Sequence, residues 1–363
     1  MGIEELLKNE KLLLPIQVDD DKSVINKLEE SLYNYLSLIK KVNELQHIIP
    51  IITRIQNNLK LAISLYLDGK TYDAYTQIES IFNDSNIKDN LLIDSFEDIS
   101  YPEEYRQLYR ARIGDFYEYK SYDLFHVPFD KRELIHTERY SIPGFPCLYL
   151  GGSVYVCWEE LGRPELSNLY VSRYESNPQL KILDLSYTIQ DFNLQNSGKG
   201  KDFQERFFIT WPIICACSMK VKDRTSYRKF KTEYVIPQLI LQVARNSKID
   251  GIAYFSTNAD YSKQVCKPVF INYVFPATNI KNNSDERFSK VLEGNFSLTY
   301  PLNYGLWNEL TDTGKDTLEN YLGFTNRRPI AINNEYRRTA KINMYKGFGP
   351  PYCETRRMRL KNV

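Results

Sequence analysis

The sequence predicts an α+β protein, with an all-helical N-terminal region ahead of a domain of short strands and helices. Three observations carry this. Residues 1–95 place apolar side chains at spacings of three and four, the helical period. From residue 105 onward the apolar segments shorten to strand length and are bounded by glycine, proline and serine. At 363 residues the chain has room for one large domain or two moderate ones.

Within 24–45, Ile25, Leu28, Leu32, Tyr35, Leu36, Ile39 and Val42 share one helical face. A second helix over 49–67 follows around Pro50, Asp68-Gly69-Lys70 is a turn, and 72–82 forms a third helix. A helical hairpin or small bundle results, with packing, oligomerisation or partner contact as its expected role. The polar stretch 83–104 ends in a Tyr-Pro step and reads as a linker. The strand-bearing domain spans 105–276, and 277–363 is a partly irregular extension ending in a basic, proline-interrupted tail from 327. Inside the domain, 179–185 alternates as a strand, 191–202 is a solvated insertion, and 203–221 is a helix that Pro212 kinks or breaks. A helix over 232–246 is expected to bend at Pro237; strands follow at 249–256 and 270–275.

The charges nearly cancel, at +1, so nothing global points to nucleic acid or an anionic membrane. No apolar run approaches the ~20 residues of a membrane helix. The N-terminus carries acids early and lacks a signal-peptide core, and Leu6 defeats a myristoylation reading of Met1-Gly2. The six cysteines (147, 157, 215, 217, 266 and 353) form no CxxC pair, so reduced thiols and a cytoplasmic location are expected.

The most informative stretch is 125–161. Ser141 to Pro146 is turn chemistry, 147–150 a buried strand, and Gly151-Gly152-Ser153 a break in which Ser153 caps a helix running to Gly162. On that helix the spacing puts Glu160 with Val156 and Cys157 on the apolar side and Glu159 with Tyr155 on the other. A carboxylate on a buried face is costly unless paired or used, which singles out Glu160. Arg110 and Arg112 alternate onto one strand face. His126 and His136 lack metal-ligand spacing, and a structural or hydrogen-bonding role is expected for them. Cys157 has no activating neighbour in sequence. The Trp158-Glu159-Glu160 run also suits a partner-binding helix.

Leu108-Tyr109-Arg110, Glu138-Arg139-Tyr140, Tyr149, Glu160 and the block from Asp250-Gly251-Ile252 to Tyr254-Phe255-Ser256 together resemble the RES domain family, named for a recurrent arginine, glutamate and serine. The likeness covers roughly 105–276. It implies an ADP-ribosyltransferase-like RES domain, here following the N-terminal α-helical region read from the apolar spacing, with NAD as substrate and no metal. By that resemblance Arg110, Arg139, Tyr149 and Ser256 line the dinucleotide pocket, with Glu160, Arg110 and Tyr149 catalytic. This chain departs from the family in following Arg139 with Tyr-Ser-Ile-Pro-Gly rather than a glycine-rich, tryptophan-containing turn. The gap from Glu160 to Ser256 is also long, and small RES toxins lack the N-terminal helices. Arg112 remains an alternative to Arg110 as the first pocket arginine.

The chemistry asks for such residues. Breaking the nicotinamide–ribose bond builds positive charge on the ribose, which a carboxylate stabilises. A planar guanidinium donates paired hydrogen bonds to a pyrophosphate. The expectation is therefore an NAD-consuming toxin, glycohydrolase or phosphorylase, held by a cognate antitoxin or a self-blocking segment. The alternatives are an ADP-ribosyltransferase acting on a macromolecule and a non-catalytic nucleotide-binding protein. Self-association is a further expectation; nucleic acid and membrane are not expected partners.

Overall fold

A computed structural model describes residues 1–98, 107–114, 119–189, 191, 201–222, 230–258, 270–278, 286–299, 301–305 and 358–359. The chain is mixed α and β and divides into two compact units. The first gathers Met1–Ser95, Ile135–Phe145 and Lys181–Thr257; the second gathers Phe96–Leu134, Pro146–Leu180 and Asn258–Val363. In chain order the strands discussed are β1 (Ile16–Val18), β2 (Ile93–Ser95), β3 (Leu108–Ile113), β4 (Cys147–Gly151), β5 (Leu169–Ser176), β6 (Lys181–Leu185), β7 (Met219–Val221), β8 (Gly251–Phe255), β9 (Ile271–Pro276), β10 (Phe296–Leu298) and β11 (Leu302–Asn303).

In the first unit the helices Val24–Ile39, Ile49–Leu67 and Thr71–Asn83 form as their periodicity requires. The first ends at Ile39, short of residue 45, and a 3-10 turn over Asn43–Ile48 leads into the next. Pro50 and Pro237 both lie in first helical turns, where no intrahelical N–H bond is lost. The expected bend at Pro237 is therefore absent: Val235–Asn246 is one helix preceded by a 3-10 turn.

Pro212 is the more instructive case. Lys201–Cys217 is a single helix with Pro212 inside it, not a broken one. Lacking an N–H, Pro212 leaves the carbonyl of Phe208, four residues back, without its helical donor. The Tyr35 hydroxyl donates to that carbonyl, and the Tyr35 ring stacks on Trp211 at 4.1 Å. A side chain from another helix thus supplies the missing bond. Residues 219–221, expected to continue the helix, instead form β7, parallel to β1.

The linker expected over 83–104 is structured as far as residue 98. Ser85–Lys88 is one helical turn and β2 pairs antiparallel with β6. Arg206 holds this segment by donating to the Leu91 carbonyl and pairing with Asp94 at 3.1 Å. On its other side β6 runs parallel to β8, so the helices between them make the crossover that a parallel pair needs.

The second unit is built on an antiparallel sheet in the order β10-β5-β3-β4-β9, with β11 also on β5. A six-residue register joins β3 to β5 from Leu108–Tyr174 to Ile113–Leu169. Between β3 and β4 the ladder narrows to one pair, Tyr109 with Gly151. Phe125, Tyr174, Phe275, Phe288 and Phe296 fill the core, and Tyr174 donates to the Leu124 carbonyl. Of the insertion at 191–202, residues 192–200 lie outside the described residues, as does the basic tail apart from a two-residue strand, Met358–Arg359, on β10.

Candidate functional site

β4 ends at Gly151, and the helix Val154–Glu160 begins at once. A Cβ at Gly151 would lie 2.6 Å from Val156 Cγ1 and 2.7 Å from Cys157 Sγ, so only glycine lets the helix lie against the strand end. The Gly152 N–H donates to the Ile271 carbonyl at 2.7 Å and ties the turn to β9. Ser153 Oγ accepts from the Val156 N–H at 3.0 Å, the cap expected from sequence.

The two carboxylates on this helix exchange the places that the spacing assigned them. Val154, Tyr155, Val156 and Glu159 are buried, whereas Glu160 is exposed. Glu159 is instead paired with Arg163 at 2.8 Å, across the left-handed turn of Gly162 and Arg163. The helix is only seven residues long, and periodicity over two turns does not fix which face meets the protein. Glu160 is nonetheless held: Asn272 Nδ2 donates to Oε1 at 2.8 Å and Asn258 Nδ2 to Oε2 at 2.7 Å. Sequence reasoning missed both asparagines. The one available signal was a polar residue at 272 within the otherwise apolar strand segment Phe270 to Phe275.

Arg110 sits mid-β3, half-buried, and donates to the Tyr149 carbonyl at 3.1 Å. That carbonyl is available because the β3–β4 ladder has only one register pair. Burial holds the Arg110 guanidinium below its ordinary value, with the Arg112 charge acting in the same direction. Arg112 Nε is buried without a hydrogen-bond partner among the described residues. Among those residues neither arginine forms an ion pair, so two cations share one strand face with no carboxylate against them. Tyr149 is half-buried on β4, opposite Val274.

Cys157 lies in the field of both Arg110 and Glu160, yet burial pushes its thiol up to about 12. It donates to the Tyr109 carbonyl at 3.4 Å and is a neutral thiol, not an activated nucleophile. His126 is buried and held down to about 4, chiefly by burial. Its Nδ1 contacts the Val127 carbonyl at 2.7 Å, and its Nε2 accepts from the Ser289 N–H at 2.9 Å, the hydrogen-bonding role expected. His136 is exposed.

Of the five residues expected to line one pocket, Arg110, Tyr149 and Glu160 belong to the second unit, and Arg139 and Ser256 to the first. Arg139 donates to the Cys217 carbonyl at 2.9 Å and to Thr257 Oγ1 at 3.3 Å, and stands over the Tyr234 ring. Ser256 follows β8, fully buried, next to that same Thr257. Among the described residues no cluster of three histidine, cysteine or carboxylate side chains is arranged to hold a metal, and no helix is long and apolar enough to cross a membrane.

No family model and no solved structure matches the chain. A Bacillus subtilis (strain 168) protein described as "Putative toxin YopC" is 34% identical over 268 residues, 69% of this chain. The alignment takes in 59% of that relative, so the chain spans less than two thirds of its length.

Proposed function

We propose that this protein is a toxin that consumes NAD by cleaving the nicotinamide–ribose bond, through a RES-type domain with an ADP-ribosyltransferase-like fold. The likeness to a protein described as a toxin supports the first part. The second rests on one observation. A solvent-open carboxylate, Glu160, is fixed by two amides in the same unit as the arginines of β3, which form no ion pair among the described residues.

In this reading the guanidinium of Arg110, with Arg112 beside it, receives the pyrophosphate. Tyr149 stacks on the nicotinamide, and Glu160 faces the ribose as its anomeric carbon becomes positive. The C–N bond breaks with its electron pair passing to the nicotinamide nitrogen, which neutralises the pyridinium. An oxygen of water or phosphate then bonds the anomeric carbon and releases a proton to solvent. Such an activity in the cytoplasm requires restraint, and a cognate antitoxin is the proposed partner.

Purified protein incubated with NAD should release nicotinamide, and comparing rates with and without inorganic phosphate identifies the acceptor. Mass spectrometry for transferred ADP-ribose tests the transferase alternative. Glu160→Gln keeps size and shape but removes the charge; it should lower the rate at least about a hundredfold while the circular dichroism spectrum stays unchanged. Undiminished release in Glu160→Gln would remove the assigned role.

A further inference from the structure

The sequence reading and the family resemblance name Glu160 but nothing that holds it. The structure supplies that support from two different places in the second unit. Asn272 stands on β9 opposite Gly151, almost fully buried, and its amide reaches one carboxylate oxygen at 2.8 Å. Asn258 reaches the other oxygen at 2.7 Å. Only the NH2 end of an asparagine can face an ionised carboxylate, so both amides are oriented as donors.

We infer that Asn272 and Asn258 are positioning residues that fix the plane and rotamer of the Glu160 carboxylate for an electron-poor ribose. This inference rests on the NAD-cleaving reading of the site. A glutamate at the exposed end of a helix otherwise samples several rotamers, and each departure from the productive one lowers the population able to meet the developing charge. One donor on each oxygen fixes the plane of the group, and an ionised carboxylate has lone pairs beyond the two that these donors use. The two-sided grip orders an acid at the exposed end of its helix. Because Asn272 is on a sheet strand and the helix is seated on Gly151, the carboxylate takes its position from the sheet rather than from a loop.

Three variants test this: Asn272→Ala, Asn258→Ala and Asn272→Asp. Each alanine variant is expected to lose about ten- to hundredfold in kcat with KM for NAD within about twofold of the parent, because the lost interaction serves the transition state and not ground-state binding. Asn272→Asp replaces a donor with an acceptor of the same shape. It is expected to be as impaired as Asn272→Ala near neutral pH and to regain rate on acidification to about pH 5, as the introduced carboxyl takes a proton and becomes a donor. A structural role for Asn272 would produce no such recovery.

If Asn272→Ala fails to fold, Asn258→Ala carries the test, since it lies beyond the sheet ladder. Full kcat in both alanine variants would overturn the inference. So would a rise in KM with kcat unchanged. Should the parent protein release no nicotinamide at all, the NAD reading falls, and urea unfolding of the Glu160→Gln, Asn272→Ala and double variants decides whether the grip exists. Coupled effects, with the double variant no less stable than the worse single variant, support it; simple additivity overturns it.

Discussion

Acidification should loosen the second unit at a single buried histidine, and the size of the effect follows from the environment of His126. Three aromatic rings surround it: Phe125 at 4.6 Å, Phe129 at 5.4 Å and Phe288 at 5.4 Å between centroids. The positive charge of Arg110 opposes its protonation further. Neutral His126 donates from Nδ1 and accepts at Nε2 from the Ser289 N–H, just where Ser289 Oγ caps the helix Lys290–Asn295. A proton on Nε2 would set one N–H against another. The folded ring takes up its proton at about 4 and the unfolded ring at 6.5. Between those values the unfolded chain binds more protons, so stability is fully present above about pH 6.5 and is lost as pH falls toward 4. The gap of about 2.5 pH units, at about 1.4 kcal/mol each, amounts to about 3 kcal/mol. His126→Gln offers Oε1 as an acceptor for Ser289 but cannot titrate in this range. Urea unfolding of parent and variant at intervals from pH 7 to 4 reads the difference. The variant should start about 1–2 kcal/mol less stable at pH 7 and then lose about 3 kcal/mol less than the parent on descent to pH 4. Parallel loss in both proteins would refute the reasoning.

Two further outcomes follow from the geometry around β3 and β4. Gly151→Ala forces a methyl to within 2.6 Å of Val156 Cγ1, so the helix must shift. A loss of about 1–3 kcal/mol in urea unfolding is expected, with nicotinamide release falling alongside it. Arg110→Ala removes a half-buried cation that has no carboxylate partner among the described residues. It should raise KM for NAD about ten- to hundredfold and leave the fold intact by circular dichroism.

Much of the architecture could be read from local pattern. The helix starting at Ile49, the cap at Ser153 and the buried strand expected at 147–150, which extends to Gly151, all follow from spacing and turn chemistry within a few residues. Two of the readings that differ from the structure needed a partner distant in sequence. The break that Pro212 allowed does not occur: nothing nearby supplies a donor for Phe208, but Tyr35, 173 residues away, does. The polar stretch before residue 99 looked like a linker because β2 becomes a strand only through β6 and Arg206.

The sequence by itself determined the main helices, the strand after the Ser141–Pro146 turn and which residue types are available for anion and ribose chemistry. Tertiary structure decided that Glu159, not Glu160, is buried and that two asparagines hold the exposed acid. It also decided that 135–145 and 181–257 pack with the N-terminal helices. The reason is physical. Helical and strand periods are set by neighbours a few residues apart, whereas the face a short helix buries, and the donors its side chains meet, depend on surfaces brought together from remote parts of the chain.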